Sequence, residues 1–216
     1  MHTKEHVGLF DSVPKTPNVD HLSVVLASSS PYRKELLERL RIPFTTAAPN
    51  IDETPLEDET HIHLVQRLAE NKARALANKF PKHLIIGSDQ IAVCTGEIFG
   101  KPKDVEAAVA QLKHFSRRTV TFYTGLSVLN SESGEIHTIT EPYSVYFRTL
   151  TEKMIRHYIE LEQPLNCAGS FKSEGLGITL FLKMKGDDPN SLIGLPLIRL
   201  TDLLSRHGFE LPEQAR

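Results

Sequence analysis

Leu84-Ile85-Ile86-Gly87-Ser88-Asp89-Gln90 is the stretch on which the fold turns. Leu84, Ile85 and Ile86 are apolar without alternation, the pattern of a strand buried on both faces of an α/β sheet. Gly87 and Ser88 read as a small turn that lets the backbone approach another group closely. Asp89 is then expected at the carboxyl end of the strand, where ligand crevices form in such sheets. Shortly afterwards Phe99-Gly100-Lys101-Pro102 reads as a glycine turn that delivers a cation. A carboxylate and a lysine on neighbouring turns suit a site for a metal and an anion. A turn aspartate and a surface lysine are the plainer alternative.

Upstream, residues 22–27 form the first expected strand, with Val24, Val25 and Leu26 at its centre. It runs into Ser28-Ser29-Ser30-Pro31-Tyr32-Arg33, where Ser30 suits an N-cap and Pro31 a first helical position. Leu36, Leu37 and Leu40 continue a helical face to about Arg41. The serines and Arg33 therefore surround a helix N-terminus, whose free N–H groups and dipole favour phosphate. A loop follows, Ala47-Ala48-Pro49-Asn50-Ile51-Asp52-Glu53-Thr54-Pro55, with two acids between prolines. Residues 61–80 then read as a helix with Ile62, Val65, Leu68, Ala69, Ala73, Leu76 and Phe80 on one stripe. Lys72 falls inside that stripe. A lysine in a buried arc costs stability unless an anion meets it or its stem carries the charge to the edge.

Downstream, Ile91-Ala92-Val93 continues the opening strand, and a helix is expected over 104–116. Strands over 119–129 and 136–149 are joined by the turn Asn130-Ser131-Glu132-Ser133-Gly134. A helix over 151–161 leads to a glycine- and serine-rich segment, 167–177, which reads as a binding loop or connector and not as core. A strand over 178–184 precedes a last apolar helix, 190–207, interrupted near Gly194-Leu195-Pro196. The organisation expected is one α/β domain over 22–209, an N-terminal extension over 1–21 and a short tail over 210–216.

The bulk properties narrow the classes. A net charge of −2 offers no basic footprint for nonspecific nucleic-acid binding. No apolar run approaches the roughly 20 residues of a membrane span. The first 21 residues lack the apolar centre of a signal peptide, so a cytoplasmic location is expected. Cys94 and Cys167 stand far apart, implying neither a disulfide framework nor a zinc site. Cys167 has no activating base nearby in sequence and is a weak nucleophile candidate. Dinucleotide fingerprints, P-loops and metalloprotease helices are all missing. What remains is an anion-friendly set (the serine turn, Arg33, Lys72, Lys101) beside two loop-borne acids, Glu53 and Asp89. Such a set suits phosphate chemistry with a divalent metal, because the metal needs oxygen ligands and the phosphoryl charge needs neutralising.

Leu26-Ala27-Ser28-Ser29-Ser30-Pro31-Tyr32-Arg33, Asp52-Glu53-Thr54-Pro55, Glu70-Asn71-Lys72-Ala73, Gly87-Ser88-Asp89-Gln90 and Gly100-Lys101-Pro102 occur in the order seen in the Maf family of nucleoside triphosphate pyrophosphatases, which the chain resembles over 22–209. The loop Cys167-Ala168-Gly169-Ser170-Phe171-Lys172-Ser173-Glu174-Gly175 resembles the branch acting on 7-methyl-GTP. The resemblance implies a mixed sheet flanked by helices, two lobes around a deep cleft, and a homodimer. It implies Asp89 as proton acceptor, with Ser28, Arg33, Glu53, Lys72 and Lys101 as further cleft residues. Tyr32, Gln90 and Glu174 become the positions that set base specificity. Glu53 and Asp89 are expected to hold Mg²⁺ or Mn²⁺, while Arg33, Lys72 and Lys101 neutralise the triphosphate of a small-molecule nucleotide. Two alternatives stay open: the same chemistry on dTTP, UTP or another noncanonical nucleotide, and a noncatalytic nucleotide-sensing regulator of cell division.

Overall fold

The computed structural model describes residues 22–216; the extension expected over 1–21 lies outside the described residues. Seven strands form one mixed sheet: β1 (Ser23–Ala27), β2 (Phe44–Ala47), β3 (His83–Cys94), β4 (Glu97–Phe99), β5 (Thr119–Asn130), β6 (Ile136–Phe147) and β7 (Phe181–Lys185). Their order is β2-β1-β3-β5-β6-β7, with β4 pairing β3 off this path. β1 runs parallel to β2 and β3, and the remaining pairs are antiparallel. The helices are α1 (Pro31–Glu38), α2 (His61–Arg74), α3 (Val105–Phe115), α4 (Glu152–Glu162) and α5 (Leu197–Ser205).

Local signals set most helix starts. Ser30, Thr60, Asp104 and Thr151 each accept a backbone N–H from the first turn of α1, α2, α3 and α4. The expected helix over 61–80 is regular only to Arg74 and then continues as turns. Val65, Leu68, Ala69, Ala73 and Leu76 of its stripe are buried, Phe80 is half-buried, and Ile62 is 45% exposed, with Leu64 in the inward place. The 167–177 segment forms short 3₁₀ turns and is partly core: Phe171 packs in an aromatic cluster with Phe122, Phe147 and Phe181. The last helix is broken as read, into a 3₁₀ turn at Pro189–Leu192 and α5.

One expectation fails instructively. Gly87 and Ser88 make no turn; β3 runs unbroken through Asp89 to Cys94, paired with β5 from Leu84↔Asn130 to Val93↔Thr121. A glycine–serine pair looks locally like a break, but long-range ladder pairing overrides that preference. Asp89 still borders an opening, for a different reason. β1 ends where Ala27 pairs Gly87, and β4 begins only where Ala92 pairs Phe99. Since β5 occupies the other edge of β3, the edge from Ser88 to Ile91 has no strand beside it among the described residues.

The core divides around this point. Successive strand residues face opposite sides of a sheet. On one side Ile85 packs with Ala73 and Leu76, and Ile91 with Leu64, Val65 and Leu68, all under α2. On the other, Leu84 and Ile86 pack with α1 and α5, while Ala92 joins the cluster of α3 and α4. Gly87 and Asp89 interrupt the first side; Ser88 and Gln90 interrupt the second. The polar residues of β3 thus sit between apolar clusters on both faces.

Candidate active site

Close approach of α2 builds the first half of the site. A Cβ on Gly87 would lie 2.1 Å from the Ala69 carbonyl oxygen, and one on Gly125 would lie 2.1 Å from that of Val65. Only glycine lets the helix backbone settle at this depth. Lys72 therefore reaches Asp89, with Nζ 2.6 Å from Oδ1, and it also meets Glu53 Oε1 at 2.8 Å. Lys72 and Asp89 are buried, whereas Glu53 is 58% exposed on its loop. The lysine in the apolar stripe has its anions, and they are carboxylates of the chain itself.

The opposite face supplies the second half. The Gly194 carbonyl accepts from Ser88 Oγ and from Arg33 Nε, each at 2.9 Å. Gly194 has a φ of 114°, which a side chain would strain, and an added Cβ would crowd Arg33 Nε at 3.3 Å. Burial lowers the pKa of the Arg33 guanidinium, against the pull of Asp89 and Glu53. Gln90 donates Nε2 to the carbonyls of Ser191 and Leu192 and to Thr124 Oγ1. Thr124 donates to the same Ser191 carbonyl at 2.9 Å. These acceptors commit the Gln90 nitrogen and leave Oε1 as its acceptor atom.

The turns leaving β1 and β4 flank the open edge of β3. After β1, Ser28 Oγ accepts from Ser30 N at 3.1 Å and Ser30 caps α1. After β4, the Gly100 carbonyl accepts from Gly169 N and Gln111 Nε2, which fixes the turn carrying exposed Lys101. Tyr32 lies beside Cys167 and Glu174; burial first, then Cys167 and Glu174, push its phenol up to about 12. Burial also pushes the Cys167 thiol up, so this cysteine is no activated nucleophile.

Two adjoining cavities result. One of about 540 Å³ is lined by Ser28, Arg33, Glu53, Lys72, Asp89 and Lys101. A smaller one of about 110 Å³ is lined by Tyr32, Phe122, Cys167, Phe171 and Glu174. Tyr32, Arg33, Gln90 and Lys101 border both. All nine residues singled out from sequence thus face this pair of cavities. Sequence reasoning read Ser88 only as part of a turn and gave no site role to Thr124, Ser191 or Gly194; together these four anchor the site from behind. The signal available was the break at Gly194-Leu195-Pro196, which marks a turn but not its partners.

The Maf-like protein family model matches residues 23–207. Three relatives bear the name 7-methyl-GTP pyrophosphatase. That of Nitrosococcus oceani is 57% identical over 187 residues, covering 87% of this chain and 94% of the relative. The Colwellia psychrerythraea protein is 54% identical and covers 90% of this chain and 98% of its own. The Pseudomonas aeruginosa protein is also 54% identical, with 88% and 98% covered.

Proposed function

The chain belongs to the Maf family, and from that membership we propose that it hydrolyses 7-methyl-GTP to 7-methyl-GMP and pyrophosphate. The observation that carries the reading is the Glu53–Lys72–Asp89 triad in a cavity that also contains Arg33 and Lys101. Acid and base groups meet there with the cations a triphosphate needs.

The larger cavity takes the triphosphate. Arg33, held through Nε by Gly194, and Lys101 neutralise charge as it moves onto the pyrophosphate leaving group. Ser28 and the N-terminus of α1 add oxygen and N–H partners. Asp89 accepts the proton of the attacking water, and Lys72 holds that carboxylate in place. Cleavage falls between the α- and β-phosphates.

The carboxylates of Glu53 and Asp89 are hard oxygen donors that suit Mg²⁺ or Mn²⁺, with phosphate oxygens and water completing the set. Such a cation, when bound, supplies further charge neutralisation and acidifies water. Lys72 bonds both carboxylates and so keeps their oxygens on one side of the cavity.

The smaller cavity takes the base. N7-methylation makes guanine cationic, and the face of Tyr32 attracts a cation by about 0.5–2 kcal/mol. Glu174 complements that charge and accepts from the N1–H and exocyclic amine, and Gln90 Oε1 is a second acceptor. A cytoplasmic homodimer without nucleic-acid or membrane partners belongs to the same reading. Among the described residues no helix is long and apolar enough to cross a membrane. The edge strand β7 exposes Leu182 and Met184, a surface suited to a second copy.

The deciding experiment measures pyrophosphate release from 7-methyl-GTP, GTP and dTTP in parallel with Mg²⁺ or Mn²⁺. The methylated nucleotide should be turned over fastest. Equal rates, or dTTP ahead, would overturn the substrate assignment, and no release from any would overturn the enzyme.

A further inference from the structure

A second polar cluster lies away from these cavities, where the C-terminal end of α5 meets the β5–β6 hairpin. The hairpin turn brings Glu135 to the start of β6: Glu135 N donates to Ser133 Oγ and its carbonyl accepts from Asn130 N. His137 follows on β6, opposite Val128 of β5. His207 arrives from the turn after α5, its side chain fully buried and its ring 4.9 Å from that of His137.

The hydrogen-bonding pattern of His207 is specific. Its Nε2 lies 3.3 Å from the Val128 carbonyl oxygen, which can only accept, so Nε2 carries the proton. Nδ1 is then a bare lone pair, buried and without a hydrogen-bond partner among the described residues. What faces it is another acceptor, Glu135 Oε2, at 3.8 Å. The second carboxylate oxygen of Glu135 is 3.2 Å from His137 Nε2. One ligand atom from each of the three residues lies within 4.8 Å of the others. Bonds of about 2.1 Å around a tetrahedral ion place ligand atoms roughly 3.4 Å apart. The two imidazole–carboxylate separations, 3.2 Å to one Glu135 oxygen and 3.8 Å to the other, lie on either side of that value.

We propose that Glu135, His137 and His207 form a binding site for a borderline transition-metal ion such as Zn²⁺, distinct from the nucleotide cavities. Two imidazoles and one carboxylate suit Zn²⁺ or Co²⁺, and select against Mg²⁺, which prefers oxygen alone. The Val128 carbonyl fixes the tautomer of His207, the arrangement that orients metal-bound histidines. Exposed Glu135 provides the entry path and leaves a fourth position to water. The ion would clamp the end of α5 to the hairpin.

The test is titration of the full chain with Co²⁺ in excess Mg²⁺, followed by visible absorption and displaced with Zn²⁺. The intense bands of four-coordinate Co²⁺ should grow to one equivalent and vanish on adding Zn²⁺. His137→Ala and Glu135→Gln, both at sites that are not fully buried, should each weaken binding at least about tenfold. Both should leave 7-methyl-GTP turnover unchanged, and Zn²⁺ should raise Tm in the parent but not in either variant. Absence of a four-coordinate spectrum, or parental affinity in both variants, would overturn the proposal.

Discussion

Gly125 stands directly across the β3–β5 ladder from Asp89, and above it the Val65 carbonyl occupies the space a side chain would need. The depth at which α2 sits, and with it the reach of Lys72, is set by an atom that is missing.

Gly125→Ala should therefore act on chemistry through packing. The methyl group collides with helix backbone, which cannot rotate away, and overpacking of this kind costs about 1–3 kcal/mol. Lifting α2 also draws Lys72 from Asp89. Urea denaturation should show the stability loss, and pyrophosphate release should fall by at least about tenfold, one step of 1.4 kcal/mol. Full turnover in a destabilised variant would show that α2 depth does not set the site.

Lys72→Met keeps the stem and removes the charge. Asp89 is left buried with its partner gone, a change that costs up to about 3–5 kcal/mol in a closed interior and less beside a cavity open to water. Turnover should fall by about a hundredfold or more. A variant with ordinary kcat and raised KM would instead make Lys72 a binding group alone.

Asp89→Asn preserves shape and removes the proton acceptor. Losses for a general base are about 10²–10⁴-fold, and nucleotide affinity by calorimetry should stay close to that of the parent. Near-normal turnover would remove Asp89 from its role.

The specificity positions admit a paired exchange. Tyr32→Arg with Glu174→Gln replaces an aromatic face by a like charge and removes the balancing carboxylate. The preference for 7-methyl-GTP over dTTP, measured as a ratio of kcat/KM, should fall by about 10–200-fold, the range of a 1–3 kcal/mol contact. An unchanged ratio would assign base reading elsewhere.

Tyr32 also predicts a pH effect. Its phenol is raised to about 12 in the folded chain, whereas an unfolded tyrosine titrates near 10. Between about pH 10 and 12 the folded state keeps a proton that the unfolded state has released, so stability falls as pH rises. The contribution is fully present below about pH 10. Tyr158, raised in the same direction by burial, steepens the fall. Tyr32→Phe should flatten part of this alkaline slope in denaturation midpoints; an unaltered slope would contradict the burial of the phenol.

Much of this was legible in the chain because it depends on neighbours in sequence. The cap Ser30 announces its helix, and the 3.6-residue period alone exposed Lys72 as a charge in an apolar stripe. The brief strands β2 and β4 carry too few residues to show a pattern. The unbroken course of β3 depends on a ladder with β5, which Gly87 and Ser88 cannot reveal locally. Gly194 was hidden for a deeper reason. Its contribution is a backbone carbonyl, a group every residue possesses, used by Arg33 from 161 positions away.

That distance has a consequence for synthesis. A chain made as far as Lys185 already contains all seven strands and every side chain assigned to the nucleotide. It does not yet contain the carbonyl on which Arg33 and Ser88 converge. On the ribosome, Arg33 is made long before the group that holds it, and the last segment to emerge both covers this face of the sheet and completes the site.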